Sequence, residues 1–424
     1  MKLIIKNGHV IDPANNIDAK HDVYIADGKI LSVGKMPAGF DAEKTIDAKG
    51  KIVCPGLVDL CARMREPGQE HKATIKSETL AAASNGITTL CCPPDTQPVI
   101  DTQAVFESIY DRAEHYGYAQ ILPLGALTQG LDGSRLSEMA ALKEVGCTGV
   151  SNAMHPIENM VIMRRAMEYA ATFDLTVFIQ PEDPVLRDGG TAHEGELSTR
   201  LGLRGIPQAA ETVAVATYIA LAAETGVRVH FNHLSTARAV QMVGRAIHDG
   251  HPISADVTAH HLFLTEMELG DYNTNGFVEP PLRSQRDRDG LRDGIAKGAI
   301  AAICSDHQPH ELDAKLTPFA LAEPGISSLD TLLPLGLRLV DEGVMTLSNM
   351  LASITCKPAQ ILNIDAGTLS EGGQADVCIF DPNKSWQLNA ETMTSRGKNS
   401  PFIGWEFKGK VTHTLHKGRL VFGE

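Results

Sequence analysis

The feature that most limits the fold of this chain is a repeated unit: an apolar segment without polar alternation, followed by a stretch with helical periodicity. Such units are typical of parallel strands buried on both faces and joined by helices. Helical stretches include 102–116, 158–172, 209–225 and 237–250. Eight such units favour a closed (β/α)8 TIM barrel over an open doubly wound sheet, and no GxGxxG or Walker sequence follows a strand. The eight predicted strands are 52–60, 87–93, 120–127, 148–152, 176–180, 228–235, 253–261 and 299–306.

The two ends of the chain differ from its middle, because their apolar and polar residues alternate over short runs bounded by glycine-containing turns. This pattern predicts strands that bury one face, joined by tight turns. We therefore predict that residues 1–54 and 366–424 complete one small β-sandwich domain. The α/β barrel domain is then predicted to occupy residues 55–365.

The composition excludes several classes of partner and location. The formal net charge of −14 argues against nucleic acid and anionic membranes as partners. Near the start, Leu3, Ile4 and Ile5 form an apolar run that is too short for the core of a signal peptide. The eight cysteines include no CxxC pair, which predicts reduced thiols and a cytoplasmic location.

A set of motifs occurs in a fixed order along almost the whole chain, beginning with the strand and turn at 55–68. With this set the chain resembles the class I dihydroorotases, which are cyclic amidohydrolases. The resemblance implies an amidohydrolase-type barrel with zinc at the C-terminal ends of its strands. The motifs are Arg65-Glu-Pro-Gly68, Leu124-Gly-Ala-Leu-Thr128, Glu194-Gly-Glu196, His230-Phe-Asn-His-Leu-Ser-Thr236, Pro280-Pro-Leu-Arg283, Ser305-Asp-His-Gln-Pro-His310 and Glu323-Pro-Gly-Ile326.

Most positions that correspond to zinc ligands in that family carry unsuitable residues here. Cys61 and Arg63 replace the two histidines of the first strand, and the guanidinium of Arg63 cannot lose its proton to bind a metal. Ala153 stands where the family has an aspartate or a carbamylated lysine. Gln180 replaces the fifth-strand histidine. We therefore expect no metal cofactor.

Two family ligands are retained, His233 and Asp306. In the family they serve different metals, so each metal would keep one secure ligand. A positive charge on Arg63 about 4 Å from a dication would also cost about 8 kcal/mol at an effective dielectric of about 20. We predict instead that Asp306, a catalytic residue of the family, forms an ion pair with Arg63 inside the pocket.

The positions that correspond to substrate contacts are mixed. Arg65 and His310 match the residues that hold the substrate carboxylate in the family. Asp95 and Glu279 replace asparagines. Two additional carboxylates are expected to repel an anionic substrate, which indicates a vestigial substrate site.

Other candidate groups have less specific patterns. His260 and His261 follow the seventh strand, where a polar pair is usually hydrogen-bonded structure rather than a metal site. Cys61 as a nucleophile lacks a base placed beside it by any recognised motif.

Two functions follow from these residues. The favoured one is a catalytically inactive dihydroorotase homologue, similar to the inactive subunit that some bacteria assemble with aspartate carbamoyltransferase, as part of a homo-oligomer or hetero-oligomer. The alternative is a working zinc-dependent dihydroorotase or other cyclic amidohydrolase. Its single zinc would be held by some of Cys61, His233, His260, His307 and Asp306.

Overall fold

The computed structural model describes residues 2–423, so Met1 and Glu424, the outermost residues of the predicted terminal domain, lie outside the described residues. The start of the chain forms the strands β1 (Lys2–Asp12), β2 (Ile17–Ala26), β3 (Lys29–Val33), β4 (Lys44–Asp47) and β5 (Ile52–Pro55). β2 is antiparallel to β1 and β3, whereas β4 and β5 run parallel to β1. The alternating pattern at the start of the chain therefore forms a sheet, as predicted.

The middle of the chain supplies the barrel strands, which are β6 (Leu57–Asp59), β7 (Ile87–Cys92), β8 (Gln120–Pro123), β9 (Gly125–Ala126), β10 (Gly149–Ser151), β11 (Thr176–Ile179), β14 (Val229–Phe231), β15 (Ile253–Thr258) and β16 (Ala302–Cys304). Between β11 and β14, β12 (Ala192–His193) and β13 (Gly205–Ile206) pair with each other outside the barrel sheets. β6 to β8 pair in one parallel set, and β9, β10, β11, β14, β15 and β16 in another. Only Leu124 separates β8 from β9, so the chain itself joins the two sets on one side. On the other side Arg63 N, after β6, donates to His307 O, after β16, at 2.9 Å, and the barrel closes as predicted.

The first predicted barrel strand is divided in the structure. β5 pairs with β1, whereas β6 pairs with β7. Gly56 separates them, and a Cβ at this position would lie 2.2 Å from Thr88 Oγ1. The close approach of Thr88 therefore requires glycine at the point where the chain leaves the terminal sheet and enters the barrel.

Helices follow the barrel strands, and the four predicted helices are present at Gln103–Tyr116, Met160–Thr172, Gln208–Thr225 and Ala237–His248. Threonine or serine caps several of them: Thr74, Thr236 and Ser284 each accept a hydrogen bond from the backbone N–H three residues on. The helices are α1 (Ile75–Ser84), α2 (Gln103–Tyr116), α3 (Met139–Glu144), α4 (Met160–Thr172), α5 (Pro184–Arg187), α6 (Glu196–Leu201), α7 (Gln208–Thr225), α8 (Ala237–His248), α9 (Gln285–Lys297), α10 (Leu332–Asp341), α11 (Leu347–Ser353) and α12 (Cys356–Leu362). Short 3-10 turns lie at Pro13–Asn15, Gln129–Leu131, His260–Leu262, Glu266–Tyr272, Thr274–Gly276, Leu312–Lys315, Phe319–Leu321 and Leu329–Thr331.

The end of the chain returns to the first sheet through β17 (Val377–Gln387), β18 (Glu406–His416) and β19 (Arg419–Phe422). The hydrogen-bonded order is β19-β18-β17-β5-β1-β2-β3, with β4 on β1. The two ends thus build one β domain, as predicted, and the eight strands of this domain, which was expected to be a β-sandwich, belong to one hydrogen-bonded sheet. Side chains from both ends bury one apolar cluster that includes Leu3, Ile25, Val53, Val377 and Leu415.

A second apolar cluster lies within the barrel. Side chains from its strands, such as Val58, Cys91 and Phe178, pack together with Ala359 and Leu362 of α12. This cluster fills the interior of the barrel. The polar residues that follow the strands lie at the C-terminal end of the barrel, where sites form in this fold. No helix within residues 2–423 is both long enough and apolar enough to cross a membrane.

Candidate active site

The first and last barrel strands meet at an ion pair between Arg63 and Asp306. Cys61 and Arg63 follow β6, Asp306 follows β16, and a parallel bridge between Ala62 and His307 aligns the two segments. Arg63 Nη1 donates to Asp306 Oδ1 at 3.1 Å, and the two side chains are only 7% and 1% exposed. An unpaired charge buried here would cost several kcal/mol, which is why pairing was predicted. The predicted ion pair is confirmed.

Arg63 has a second carboxylate partner. Its Nε donates to Asp95 Oδ2 at 2.8 Å, from the segment that follows β7. The expected repulsion of an anionic substrate by Asp95 is therefore reduced, because the Arg63 guanidinium, which also pairs with Asp306, offsets part of its charge.

Glu279 also has an arginine partner. Arg187, the last residue of α5, donates through Nη2 to Glu279 and through Nη1 to Glu182 Oε1 at 2.9 Å. Burial alone would lower the pKa of Arg187, but the two carboxylates raise it above its usual value. The expected repulsion of an anionic substrate by Glu279 is reduced in the same way, since Arg187 offsets part of the charge of Glu279 and Glu182.

Arg65 and His310, the two residues that match the family's substrate contacts, lie against each other. Arg65 Nη2 is 3.1 Å from His310 Nε2, and Arg65 Nε donates to Pro309 O at 3.1 Å. Burial, Arg65 and Lys72 lower the pKa of His310 to about 2, so its ring is neutral. Burial and Arg63 lower the pKa of Arg65 to about 10. The expected pair is therefore assembled, but its groups are engaged within the protein.

Cys61 and two histidines lie around Asp306. The ligand atoms of Cys61, His233 and Asp306 are all within 4.8 Å of one another. Both ring nitrogens of His233 and of His260 are buried, and none has a hydrogen-bond partner among the described residues. Burial and Asp306 raise the pKa of the Cys61 thiol well above its usual value, so it is protonated and a weak nucleophile.

The remaining histidines near the strand ends have structural partners. His261 Nε2 lies 3.1 Å from Pro280 O, and its Nδ1 lies 2.7 Å from the Thr258 hydroxyl. His307 Nε2 lies 2.8 Å from Glu78 Oε2, and its Nδ1 accepts a backbone N–H at 3.0 Å. His307 was in the alternative metal-ligand set, and the structure corrects this because both of its nitrogens are occupied.

Sequence reasoning missed the residues that fix His233 in place. Asp256 Oδ1 accepts from the backbone N–H of His233 at 2.6 Å, and its Oδ2 lies 3.0 Å from His230 Nε2. This contact supports the left-handed backbone of His233, which has φ of 55°. The sequence signal for this contact is that His230 and Asp256 lie in consecutive predicted strands, which pair in parallel in the structure as β14 and β15.

The residues present do not fit the two-zinc site that the fold family implies. Ala153 offers a methyl group, which cannot bind a cation, and it shares with Gln180 the lining of a cavity of only about 20 Å³. On the other side, the Arg63 guanidinium lies between two carboxylates and cannot act as a ligand. Catalytic zinc needs at least three protein ligands that are neutral imidazoles, carboxylates or thiolates, and neither half of the family site retains its own three.

The Asp306 carboxylate gives a prediction for the pH dependence of stability. Burial opposes its ionisation, but His233, Arg63 and His260 lower its pKa from 3.8 to about 2. A folded-state pKa below the unfolded value means that the contribution is fully present above pH 4 and is lost as the pH falls towards 2. The expected size at neutral pH is about 2 kcal/mol. Urea unfolding of wild type and Asp306→Asn should therefore show a stability difference that shrinks between pH 5 and pH 3.

The matched control is Asp249→Asn, which removes an exposed ion pair with Arg245. Its effect on the free energy of unfolding should stay below about 1 kcal/mol at each pH. A difference between wild type and Asp306→Asn that is the same at pH 3 and pH 7 would contradict the assignment.

Solved structures share this architecture. The L-hydantoinase (dihydropyrimidinase) from Arthrobacter aurescens superposes with a TM-score of 0.90 at 23% identity, covering 100% of this chain and 96% of that one. A dihydropyrimidinase from Brevibacillus agri gives a TM-score of 0.84 at 21% identity, with 100% and 95% covered. At these identities the likeness establishes the fold, an amidohydrolase barrel with a β domain.

Sequence comparisons establish the family as well as the fold. The family model described as "Dihydro-orotase-like" matches residues 50–239. A "Dihydroorotase-like protein" from Pseudomonas aeruginosa is 47% identical, with 99% of each chain covered. A "Dihydroorotase" from Geobacter sp. strain M21 is 43% identical, covering 100% of this chain and 99% of the relative. With identity at this level along the whole chain, together with the barrel and its strand-end motifs, the protein belongs to the dihydroorotase-like family.

Proposed function

We propose that this protein is a catalytically inactive member of the family that serves as a structural or regulatory subunit of aspartate carbamoyltransferase in pyrimidine biosynthesis. The observation that carries the proposal is Arg63, which takes the position of a metal-binding histidine and is held there by Asp95 and Asp306. A buried cation held by two carboxylates takes the place of the dication that the family reaction requires. The vestigial catalytic residue Asp306 thus acts as a counterion.

The space at the mouth of the barrel also favours an inactive protein. The cavity beside Arg63, Arg65 and Asp95 has a volume of about 10 Å³. This is roughly the space of one water molecule, whereas small-molecule sites usually have about 300 Å³ or more. Together with the contact between Arg65 and His310, this filled mouth disfavours a bound cyclic amide.

Aspartate carbamoyltransferase catalytic chains are proposed as the partner because of the family resemblance, which concerns pseudo-dihydroorotase subunits. The intact barrel, retained without the family's ligands, fits a role in which the surface of the fold matters more than its pocket. The acidic net charge of −14 favours a protein partner over nucleic acid or membrane. Eight free cysteines are consistent with the proposed cytoplasmic location.

The test is reconstitution. Mixed at micromolar concentration with aspartate carbamoyltransferase catalytic chains from its own source, the protein should co-elute with them as a hetero-oligomer in size-exclusion chromatography with mass measurement. The transferase should depend on it for assembly or activity. An unrelated TIM-barrel protein of similar size serves as the control. Separate elution of the two chains, with full transferase activity alone, would refute the proposal.

A second candidate function is an active zinc-dependent dihydroorotase or related cyclic amidohydrolase. It is favoured by the full-length relatives named "Dihydroorotase" and by the ligand-type side chains of Cys61, His233 and Asp306 near one another. Incubation of the zinc-supplemented protein with dihydroorotate decides between the candidates. The proposed function predicts no hydrolysis above that of the buffer, whereas saturable turnover would support the second candidate.

A further inference from the structure

We propose that a cavity at the N-terminal end of the barrel binds a small organic anion, in which a phosphate or carboxylate group is carried on an apolar or ring-shaped body. The cavity lies between the starts of β11, β14 and β15 and the helix α12, and its volume is about 400 Å³. Chemistry in this fold takes place at the other end of the strands. The cavity is therefore separate from the candidate active site, and it does not rest on the proposed function.

The size of the cavity suits a small molecule. Small-molecule sites usually have volumes of about 300 to 1,000 Å³. The cavity at the mouth of the barrel, beside Arg63, has only about 10 Å³. Of these two ends of the barrel, the N-terminal one has room for a ligand.

The walls of the cavity carry basic side chains and no carboxylate. Arg228 lies just before β14, His251 lies shortly before β15, and Lys357 is in the first turn of α12. No aspartate or glutamate of residues 2–423 is among the lining residues. An anion in this cavity therefore meets positive charge without a carboxylate that competes for the same donors.

Arg228 is held in place by a neighbour outside the cavity wall. Its Nη1 pairs with the exposed carboxylate of Asp174, and its Nε donates to Thr176 Oγ1 at 3.3 Å. Asp174 thus offsets the charge of Arg228 and fixes the position of its guanidinium. Among the cationic residues of the wall, Lys357 keeps a charge that no carboxylate of the described chain offsets.

Lys357 and two neighbouring groups are free to bind a ligand. Within residues 2–423 the Lys357 ammonium group has neither an ion pair nor a hydrogen bond, although the residue is partly buried. The His251 ring and the Gln360 amide also line the cavity and also lack a side-chain hydrogen bond in the described chain. An ammonium, an imidazole and an amide all offer N–H donors. A phosphate or carboxylate oxygen accepts such donors in short, charge-assisted hydrogen bonds.

An apolar part of the wall indicates that the anion has an organic body. Val229, Ile253 and Ile361 line the cavity together with the polar groups. Ligand sites typically combine an apolar wall with a few polar groups that fix orientation. An inorganic anion would leave the apolar wall in contact with water, whereas a ring or an aliphatic body would cover it.

Charge distinguishes this cavity from two others of similar volume. One of about 310 Å³ lies among α4, α5 and α7, and one of about 290 Å³ lies between α10 and β18. Each of these two is lined by three carboxylates, which disfavour an anion. The carboxylates are Glu158, Glu182 and Asp183 in the first and Asp341, Glu342 and Glu406 in the second.

A bound anion would connect α12 to the barrel strands. Lys357 and Gln360 belong to α12, whereas Arg228 and His251 precede β14 and β15. A ligand that binds the folded state alone stabilises it in proportion to its saturation. Binding is therefore expected to raise the Tm of the protein.

The experiment is a calorimetric titration of the full-length protein with phenyl phosphate and with benzoate, accompanied by thermal unfolding. At least one of these organic anions should bind saturably at one site per chain and raise the Tm, and their order of affinity decides between phosphate and carboxylate. Inorganic phosphate tests the anion without an apolar body, and benzamide tests the ring without a charge. Both should bind at least about 10-fold more weakly than the better organic anion.

Variants assign the site. Lys357→Gln should weaken binding by about 10-fold or more, the loss expected for one hydrogen bond to a charged group. The matched control is Lys408→Gln, because Lys408 is 64% exposed on β18 in the other domain, and this variant should bind as wild type. His251→Ala should also weaken binding, and it keeps the test decisive if Lys357→Gln does not fold.

The proposal would be overturned if neither organic anion binds at millimolar concentration, or if benzamide or inorganic phosphate binds equally well. Unchanged affinity in Lys357→Gln would also overturn it, because the anion would then lie elsewhere, as against Arg65 at the mouth. None of these results depends on aspartate carbamoyltransferase. Failure of the anion site and failure of the proposed function are therefore distinguishable.

Discussion

Replacing Arg63 with alanine should lower the free energy of unfolding by about 3 to 5 kcal/mol at pH 7. The substitution leaves Asp95 and Asp306 facing a space from which their cation has been removed, and breaking a buried ion pair from one side typically has this cost. The guanidinium donates to both carboxylates, at 2.8 Å and 3.1 Å. Urea unfolding followed by circular dichroism measures the change.

The matched control is Arg245→Ala, because Arg245 also pairs with an aspartate but its side chain is 73% exposed. That change should cost less than about 1 kcal/mol. Arg63→Lys should fall between the two, since lysine keeps the charge but cannot reach both carboxylates with a planar fork. Equal effects of Arg63→Ala and Arg245→Ala would show that the pair at the strand ends is not the buried counterion system described above.

Restoring the first-strand histidines should not restore catalysis. A variant with Cys61→His and Arg63→His regains the family's first-strand pair and, with Asp306, has three ligands for one zinc. We expect it to hydrolyse dihydroorotate at least about 10³-fold more slowly than the roughly 1 to 10³ per second of ordinary enzymes. The second half of the family site would still lack ligands at Ala153 and Gln180, and groups that act as a unit lose their effect together.

The structure adds a further reason for this expectation. Without Arg63 the carboxylate of Asp95 loses its partner and becomes a free negative charge beside the substrate position. Adding Asp95→Asn to the variant removes that charge and serves as the comparison, with metal content and folding checked in both. Turnover within the ordinary range in the first variant would mean that the remaining site is intact and that its decay has been misread.

The barrel and the sheet built from both ends were predictable because they rest on periodicity, which the sequence displays directly. The Arg63 and Asp306 pair was predictable as well, since two opposite charges expected in one buried pocket have few alternatives to pairing. The ion pair between Glu279 and Arg187 was not predictable from the sequence. Arg187 lies 92 positions away, on a helix of four residues after β11, and no spacing rule connects such segments.

His260 and His307 show the same limit of prediction from sequence. His260 and His307 look alike in the sequence, because each follows a barrel strand beside another polar residue. They differ because Glu78, 229 positions from His307, reaches it from α1, whereas His260 has no such partner within the described chain. Which histidine is free to bind a ligand is decided by helix packing, and the family resemblance does not report it.

The seam of the barrel, where the segments after β6 and β16 meet, has a consequence for how the chain folds. Arg63 and Asp306 are 243 positions apart, and the backbone bond from Arg63 N to His307 O lies in the same seam. Contacts between residues so distant in sequence carry a large loop-closure entropy. We expect this seam to form late, after the intervening βα units have assembled. Interactions that form after the transition state slow unfolding more than they speed folding. The buried pair is therefore expected to lower the unfolding rate of the assembled barrel and to change its folding rate little.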